Sequence, residues 1–254
     1  MKHSPATALL ATLVTAALFG CQPQQAAPTS AQIEAAGMKA QQEASAGAER
    51  KLMAWAQQTH PQQPVAQREL GLLYQRRPAE RGAAMRLFEQ AARAGDAEAA
   101  YQLGEMLRSG ATGAQGTANV TAQPAAAAPW YALAAQRRRA KAALALALLY
   151  KNGNGVARDD RLAAHWLTVA SDADNPHAMF LLSYIYAEGR GVTADAAKAR
   201  TLLEAAAEHE YPPALQELAM TVQLGDAHSP RDESRADHLL KEANEHRRNN
   251  WNRF

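Results

Sequence analysis

Two closely spaced glycine pairs are the strongest candidates for chemistry in this sequence, because glycines at such spacing can form a phosphate-binding loop. They are Gly153 with Gly155 and Gly189 with Gly191. A phosphate-binding loop also needs a preceding β-strand and either a Gly-Lys-Ser/Thr sequence or a third glycine. Neither accompanies these pairs, so we interpret them as structural turns.

The histidines and carboxylates give no catalytic or metal-binding pattern either. No His-xxx-His spacing with a carboxylate, the usual zinc signature on a helix, occurs among the seven histidines that follow residue 20. They are His60, His165, His177, His209, His228, His238 and His246. The adjacent Asp159 and Asp160 fit the cap and first turn of a helix. A Gly-x-Ser-x-Gly nucleophile turn is absent from the sequence. The sequence therefore predicts a protein that is not an enzyme and has no metal site and no cofactor.

The composition indicates a helical, folded chain. Of the 254 residues 47% are hydrophobic and 20% are charged, which is too apolar for a disordered protein. About a quarter of the residues are alanine, the strongest helix former. The net charge of +2 is too small for the basic surface that nucleic-acid binding requires. We expect no nucleic-acid partner.

The first 20 residues have the organisation of a secretion signal. Lys2 gives a basic start, residues 6–19 form an apolar run, and Gly20 precedes Cys21, the single cysteine. The run is shorter than the ~20 residues that span a bilayer. A unique cysteine also leaves no disulfide and no cysteine metal site. One reading is an ordinary cleaved signal followed by a free cysteine.

The other reading is a resemblance: Leu18-Phe19-Gly20-Cys21 is similar to the lipobox of bacterial lipoproteins. This resemblance implies that residues 1–20 are a signal peptide and that Cys21 carries the lipid anchor. Gln22 in place of aspartate implies export to the outer membrane, facing the periplasm. Several acyl chains make a permanent anchor, whereas one binds only reversibly. Residues 21–48 then read as a polar tether followed by a weakly helical spacer.

A repeat of about 36 residues organises the rest of the chain. One pattern, small-xxx-apolar-small-xx-apolar, predicts a helix A in each unit, and a second, Ala-xx-large-xxx-Ala, predicts a helix B. The helix A pattern recurs at Ala66-Leu70-Gly71-Tyr74, Ala99-Leu103-Gly104-Leu107, Ala142-Leu146-Ala147-Tyr150, Ala178-Leu182-Ser183-Tyr186 and Ala214-Leu218-Ala219-Val222. The helix B pattern has its large residue at Leu87, Trp130, Trp166, Leu202 and Leu239. An extra seven residues between the second and third units predict a loop insertion at 111–129.

The loop between helices A and B carries a resemblance to a known family. The sequences Gly153-Asn154-Gly155-Val156 and Gly189-Arg190-Gly191-Val192 lie 36 residues apart, followed at equal offset by Asp159 and Asp195. They resemble the Sel-one-like repeat, a relative of the tetratricopeptide repeat. Glycines suit the φ > 0 turn that ends helix A, valine can fill the gap between the helices, and aspartate can cap helix B.

The resemblance implies an all-α fold, a right-handed α-α superhelix of about five helical hairpins. We assign the solenoid to residues 65–248, an N-terminal capping helix to 49–64 and a tail to 249–254. A single hairpin buries too little surface to fold, so neighbouring hairpins must stack.

Some helix A positions point away from the stacked stripe, toward the predicted concave side. These positions hold several large apolar residues, and contiguous exposed apolar surface generally marks an interaction site. They predict a partner-binding groove lined by Leu72, Tyr101, Glu105, Leu144, Leu148, Phe180, Tyr184 and Met220. Alternatively, a tightly curved solenoid closes on these residues as ordinary core.

Two functions remain open on this reading. By resemblance to repeat lipoproteins of envelope assembly, the chain is a non-enzymatic adaptor that binds a protein, whether a peptide, a helix or a toxin domain, in its groove. By resemblance to other Sel-one-like periplasmic proteins, it is an immunity protein that neutralises a secreted, periplasm-acting toxin such as a phospholipase. Both functions require protein binding.

Overall fold

The computed structural model describes residues 26–110, 122–225 and 230–250. Within these ranges the chain forms twelve α-helices, one short 3-10 turn at Pro78–Glu80 and no strand. The helices are α1 Ser30–Gln42, α2 Ala46–Gln57, α3 Gln63–Gln75, α4 Arg81–Arg93, α5 Ala97–Ser109, α6 Pro124–Gln136, α7 Ala140–Asn152, α8 Asp160–Ser171, α9 Pro176–Glu188, α10 Ala196–Glu208, α11 Pro212–Leu224 and α12 Glu233–Asn250. The prediction of an all-α fold is confirmed.

Consecutive helices pair as hairpins, and each hairpin packs against the next in chain order. This succession makes the molecule a superhelical solenoid. The A helices of the five predicted units are α3, α5, α7, α9 and α11, and their B helices are α4, α6, α8, α10 and α12. No helix in the described ranges has both the length and the apolar character needed to cross a bilayer.

The glycine loops end two A helices and start the following B helices. Gly153 and Gly189 have φ values of 66° and 68°, in the left-handed region that favours glycine. Asp159 and Asp195 then cap the B helices, accepting hydrogen bonds of 2.9 Å from backbone N–H groups of α8 and α10. Between cap and glycine, Val156 and Val192 are half-buried against the main core.

The second glycine of each loop has a different role, because it approaches the preceding hairpin. A Cβ on Gly155 would overlap the backbone at Pro124 and Ala125, where α6 begins. A Cβ on Gly191 would overlap the backbone at Asp160, where α8 begins. Both positions therefore require glycine for contact between hairpins as well as for their positive φ.

A small residue in helix A faces a large ring of helix B in two hairpins. A Cβ on Gly71 would lie 2.7 Å from the ring of Phe88, and one on Gly104 would lie 2.6 Å from the ring of Tyr131. The buried large side chains of the B helices, Phe88, Tyr131 and Leu167, are one residue later than the predicted anchors Leu87, Trp130 and Trp166. The predicted anchors are only half-buried, since they lie at the margin of the same stripe.

The N-terminal part differs from the predicted tether, spacer and single capping helix. The described part of the predicted tether and weakly helical spacer at 21–48 contains α1 and the start of α2, which form a sixth hairpin. The predicted capping helix at 49–64 is divided, because α2 ends at Gln57 and α3 begins at Gln63. Thr29 and Gln32 form a capping box at the start of α1. Ile33 and Leu52 are fully buried in a core shared with α3, and this burial holds both helices in place.

The predicted loop insertion at 111–129 is shorter at its C-terminal end. Helix α6 begins at Pro124, a residue that suits the first turn of a helix, and it continues through Pro129. The buried Ala127 and Tyr131 on the same helix offset the cost of the internal proline. At the other end of the chain, α12 extends to Asn250, two residues into the predicted tail, and residues 251–254 lie outside the described ranges.

Candidate functional site

Four of the eight predicted groove residues meet at one cavity between neighbouring A helices. Tyr101 and Glu105 of α5 and Leu144 and Leu148 of α7 line a depression of about 340 Å³. The remaining lining residues are Arg108, Lys141, Ala145, Leu149, Asn152, Asn154 and Asn175. We call this the α5–α7 cavity. Its apolar floor is flanked by charged and amide side chains, as in many binding sites.

The floor of the α5–α7 cavity is continuous with the core. Leu144 is only 9% exposed, and Leu148 and Tyr101 are half-buried and packed against the main hydrophobic cluster. These side chains therefore both support the fold and present surface to solvent. The sequence left two alternatives for these residues, a groove or ordinary core, and in the structure the same side chains belong to both.

Glu105 is held at the edge of the cavity by helix α6. The Tyr131 hydroxyl donates a 2.5 Å hydrogen bond to Glu105 Oε1, and Arg108 Nη2 donates a 2.7 Å bond to Oε2. Arg108 Nε also donates to the Tyr131 oxygen at 3.2 Å. Burial, followed by the hydrogen bond to Glu105, raises the pKa of Tyr131 well above its usual range. The hydroxyl therefore remains a donor, and the charge of Glu105 is neutralised locally.

Phe180 and Tyr184 lie on α9 in an aromatic cluster instead of the α5–α7 cavity. Their rings meet edge to face with centroids 5.1 Å apart, and Phe180 is 5.5 Å from Tyr211. His177 stacks on Tyr211 at 5.5 Å. Phe180 packs against the C-terminal core, whereas Tyr184 lines a smaller depression of about 240 Å³ between α9, α10 and α11.

The two outermost groove residues lie apart from these clusters. Leu72 on α3 is half-buried against the main core. Met220 on α11 is 57% exposed and is among the most exposed large apolar side chains of the described residues. The eight predicted residues thus form a discontinuous surface with its best-formed part between α5 and α7.

Several residues of the cavity were missed by the sequence analysis. Arg108, Lys141 and Asn152 lie about one helical turn from predicted groove positions. They were not predicted because only two positions in each A helix were expected to point into the groove. Tyr131 was missed because its neighbour Trp130 fitted the helix B pattern. The spacing of Phe88, Tyr131 and Leu167, 43 and then 36 residues, is the same as that of the predicted anchors Leu87, Trp130 and Trp166, so the period alone could not distinguish the two sets.

Among the described residues no group of three or more histidine, cysteine or acidic side chains could hold a metal ion. Cys21, the predicted lipidation site, lies outside the described residues.

The order of hairpins defines this protein as an α-solenoid repeat protein. The family model of the Sel1 repeat matches residues 64–96, 97–137, 140–175 and 176–211, together more than half of the chain. The chain belongs to the Sel1 repeat family, as its glycine loops predicted. Proteins of this family generally mediate protein–protein interactions and are typically non-enzymatic scaffolds.

Two solved structures share the fold of this chain. A Sel1 repeat protein from Oxalobacter formigenes is 24% identical, with a TM-score of 0.66 over 85% of this chain and 88% of the other. A protective antigen of uropathogenic Escherichia coli with an SLR fold is 21% identical, with a TM-score of 0.68 over 85% of this chain. This chain spans 46% of that antigen's length. An immunity protein from Pseudomonas aeruginosa is 18% identical, with a TM-score of 0.44 over 73% of this chain and 66% of the other. No curated protein matches the sequence.

Proposed function

We propose that this protein is a non-enzymatic adaptor that binds a protein partner on the exposed face of its A helices. The observation that carries the proposal is the α5–α7 cavity, where apolar side chains of two successive repeats meet beside charged side chains. A scaffold with rigid neighbouring helices suits this task, because little conformational entropy is lost when a partner binds.

We further propose that the adaptor is lipid-tethered at the periplasmic side of the outer membrane. The basic start, the short apolar run and Gly20-Cys21-Gln22 support this address. The described solenoid starts close behind Cys21, with α1 beginning at Ser30. A tether of about nine residues would keep the start of α1 within roughly 30 Å of the bilayer.

Site-specific photo-crosslinking in cells tests partner binding. A crosslinking amino acid at Leu148 or Met220 is expected to capture a discrete protein. The matched control is Leu162 on the B helix α8, an apolar side chain that is 39% exposed but lies outside the groove. Equal capture from Leu162 and from the two groove positions would contradict the proposed site.

The proposed lipid anchoring is tested separately. Cys21→Ala is expected to abolish labelling with radioactive palmitate and to release the protein from the membrane fraction. Retention of the label in Cys21→Ala would contradict lipidation at this residue, and it would leave the binding experiment unaffected.

A further inference from the structure

One stripe of α7 has a positive charge at each end and leucines between them; Leu144 is buried and the other three residues are half-buried. Its residues in chain order are Lys141, Leu144, Leu148 and Lys151. The two lysines are ten residues apart, so their Cα atoms are separated by about 15 Å along the helix axis. Neither lysine forms an ion pair or side-chain hydrogen bond within the described part of the chain.

The acids on the neighbouring A helices have partners of their own. Glu98 pairs with Arg139, and Glu105 pairs with Arg108 and Tyr131. On α9, Glu188 pairs with Arg190 at 2.6 Å. On the next A helix, α11, Glu217 is hydrogen-bonded by Tyr184. These carboxylates are engaged. Lys141 also borders a second depression whose lining includes Asp174, Glu208 and Glu210, and it forms no ion pair with them within the described residues. The ammonium groups of Lys141 and Lys151 are therefore the unpaired cations that α7 offers to a partner.

The charge of Lys151 also acts on the next A helix. Burial, followed by the charge of Lys151, lowers the pKa of His177 on α9. Lys141 borders the α5–α7 cavity itself.

We propose that the partner presents an acidic amphipathic segment to α7, with carboxylates on Lys141 and Lys151 and apolar side chains on Leu144 and Leu148. This inference rests on the proposed function and adds the chemistry of the partner. Two carboxylates about 15 Å apart correspond to positions about ten residues apart in a helix or four to five apart in an extended segment. Charge complementarity of this kind selects partners and speeds association.

Selection from a displayed library of random 16-residue peptides, with the full chain as bait, tests the proposal. We expect the selected peptides to carry acids at one of these spacings around apolar residues. Their affinity should fall about tenfold in the double variant Lys141→Ala/Lys151→Ala. It should also weaken between 0.05 and 0.5 M salt, because salt screens exposed charges.

Two matched variants separate the possible failures. Lys39→Ala/Lys51→Ala, which removes two lysines from the N-terminal hairpin, should leave peptide affinity unchanged. Leu148→Ala should weaken binding, and Leu162→Ala should not. Circular dichroism of each variant reports folding directly.

Each contrary outcome overturns a defined claim. Peptides that depend on Leu148 but are neutral or basic, or are indifferent to the α7 lysines, overturn the acidic partner and leave the groove intact. Peptides that are insensitive to Leu148→Ala, or a library without enriched peptides, overturn the groove and the acidic partner together.

Discussion

Tyr131 of α6 fills the space that a side chain on Gly104 of α5 would occupy. A Cβ on Gly104 would lie 2.6 Å from Tyr131 Cε1, closer than carbon atoms can approach without movement. The same ring carries the hydroxyl that binds Glu105. One contact therefore determines both how close the two helices are and where a groove carboxylate lies.

Gly104→Ala should destabilise the protein despite the higher helix propensity of alanine. Overpacking against the buried Tyr131 ring costs about 1–3 kcal/mol, and the propensity gain offsets at most about 1 kcal/mol of it. Urea unfolding followed by circular dichroism measures the difference. Gly82→Ala is the control, since Gly82 is exposed near the start of α4 and a Cβ there meets only a flexible Arg86. A stabilised Gly104→Ala would disprove the packing argument.

Tyr131→Phe should cost about 2 kcal/mol, the usual value for losing a hydrogen bond to a charged group. The variant keeps the ring against Gly104 and removes only the hydroxyl that donates to Glu105. Tyr150→Phe on α7 is the matched control, with an expected loss below about 0.5 kcal/mol. Chemical denaturation of the two variants gives the comparison, and equal losses would show that the hydroxyl contributes nothing to stability.

Arg68→Met should loosen the N-terminal hairpin. Arg68 binds Glu34 of α1 at 2.8 Å, its neighbour Glu69 at 3.0 Å and the capping residue Asp96 at 3.0 Å. Glu69 is only 8% exposed, and burial raises its pKa even beside this arginine. Removal of the cation leaves three carboxylates facing one another, at a cost of about 3 kcal/mol.

Hydrogen exchange measures the effect of Arg68→Met locally. Faster exchange is expected in α1 and α3, with α9 to α12 unchanged, because hairpins contact only their neighbours. Arg93→Met, which breaks an exposed pair with Glu89, should change exchange little. Uniform acceleration along the chain would contradict nearest-neighbour coupling.

Arg138→Gly should stabilise the protein. Arg138 has φ = +63° in the turn between α6 and α7, where the preceding repeat has Gly95 at φ = +108°. A side chain in this region costs about 1–2 kcal/mol, of which the added freedom of glycine in the unfolded chain cancels part. Thermal unfolding should show a net gain of about 0.5–1 kcal/mol. Gly95→Ala should show the opposite sign, and a loss in Arg138→Gly would mean that the arginine side chain stabilises the turn.

His177 should make stability depend on pH in the acidic range. Its pKa is lowered by burial and by Lys151, so the unfolded chain binds a proton more readily than the folded one. Stability is then lost as pH falls from the unfolded value of 6.5 through the folded pKa, and the contribution is constant above 6.5. His177→Gln should flatten the slope of unfolding free energy between pH 7 and pH 5. The control is His165→Gln on the exposed side of α8, and equal slopes in the two variants would refute the assignment.

The fold could be predicted because the residues that mark the repeat restrict the backbone to few conformations. Gly153 and Gly189 at φ > 0, with Asp159 and Asp195 at helix caps, leave little freedom in where helix A ends and helix B begins. The period of 36 residues then extended the pattern to units without that loop. Family membership followed from the same residues.

The sixth hairpin and the details of the site could not be predicted in the same way. Helices α1 and α2 carry no glycine loop, and they are held by tertiary burial of Ile33 and Leu52 instead of by local sequence. For the groove, the sequence pattern indicated only which helix A positions point away from the stacked stripe. It could not show that Phe180 would turn toward Tyr211, or that Tyr131 would reach across to Glu105.

Gly155 and Gly191 have a mechanical consequence for the whole molecule. Each lies against the first turn of the preceding B helix with no room for a methyl group, so each sets the pitch between successive hairpins. A bulkier residue at either place would act as a wedge and change the curvature of the superhelix. Surfaces several repeats away would then move apart or together, although none of their own residues had changed.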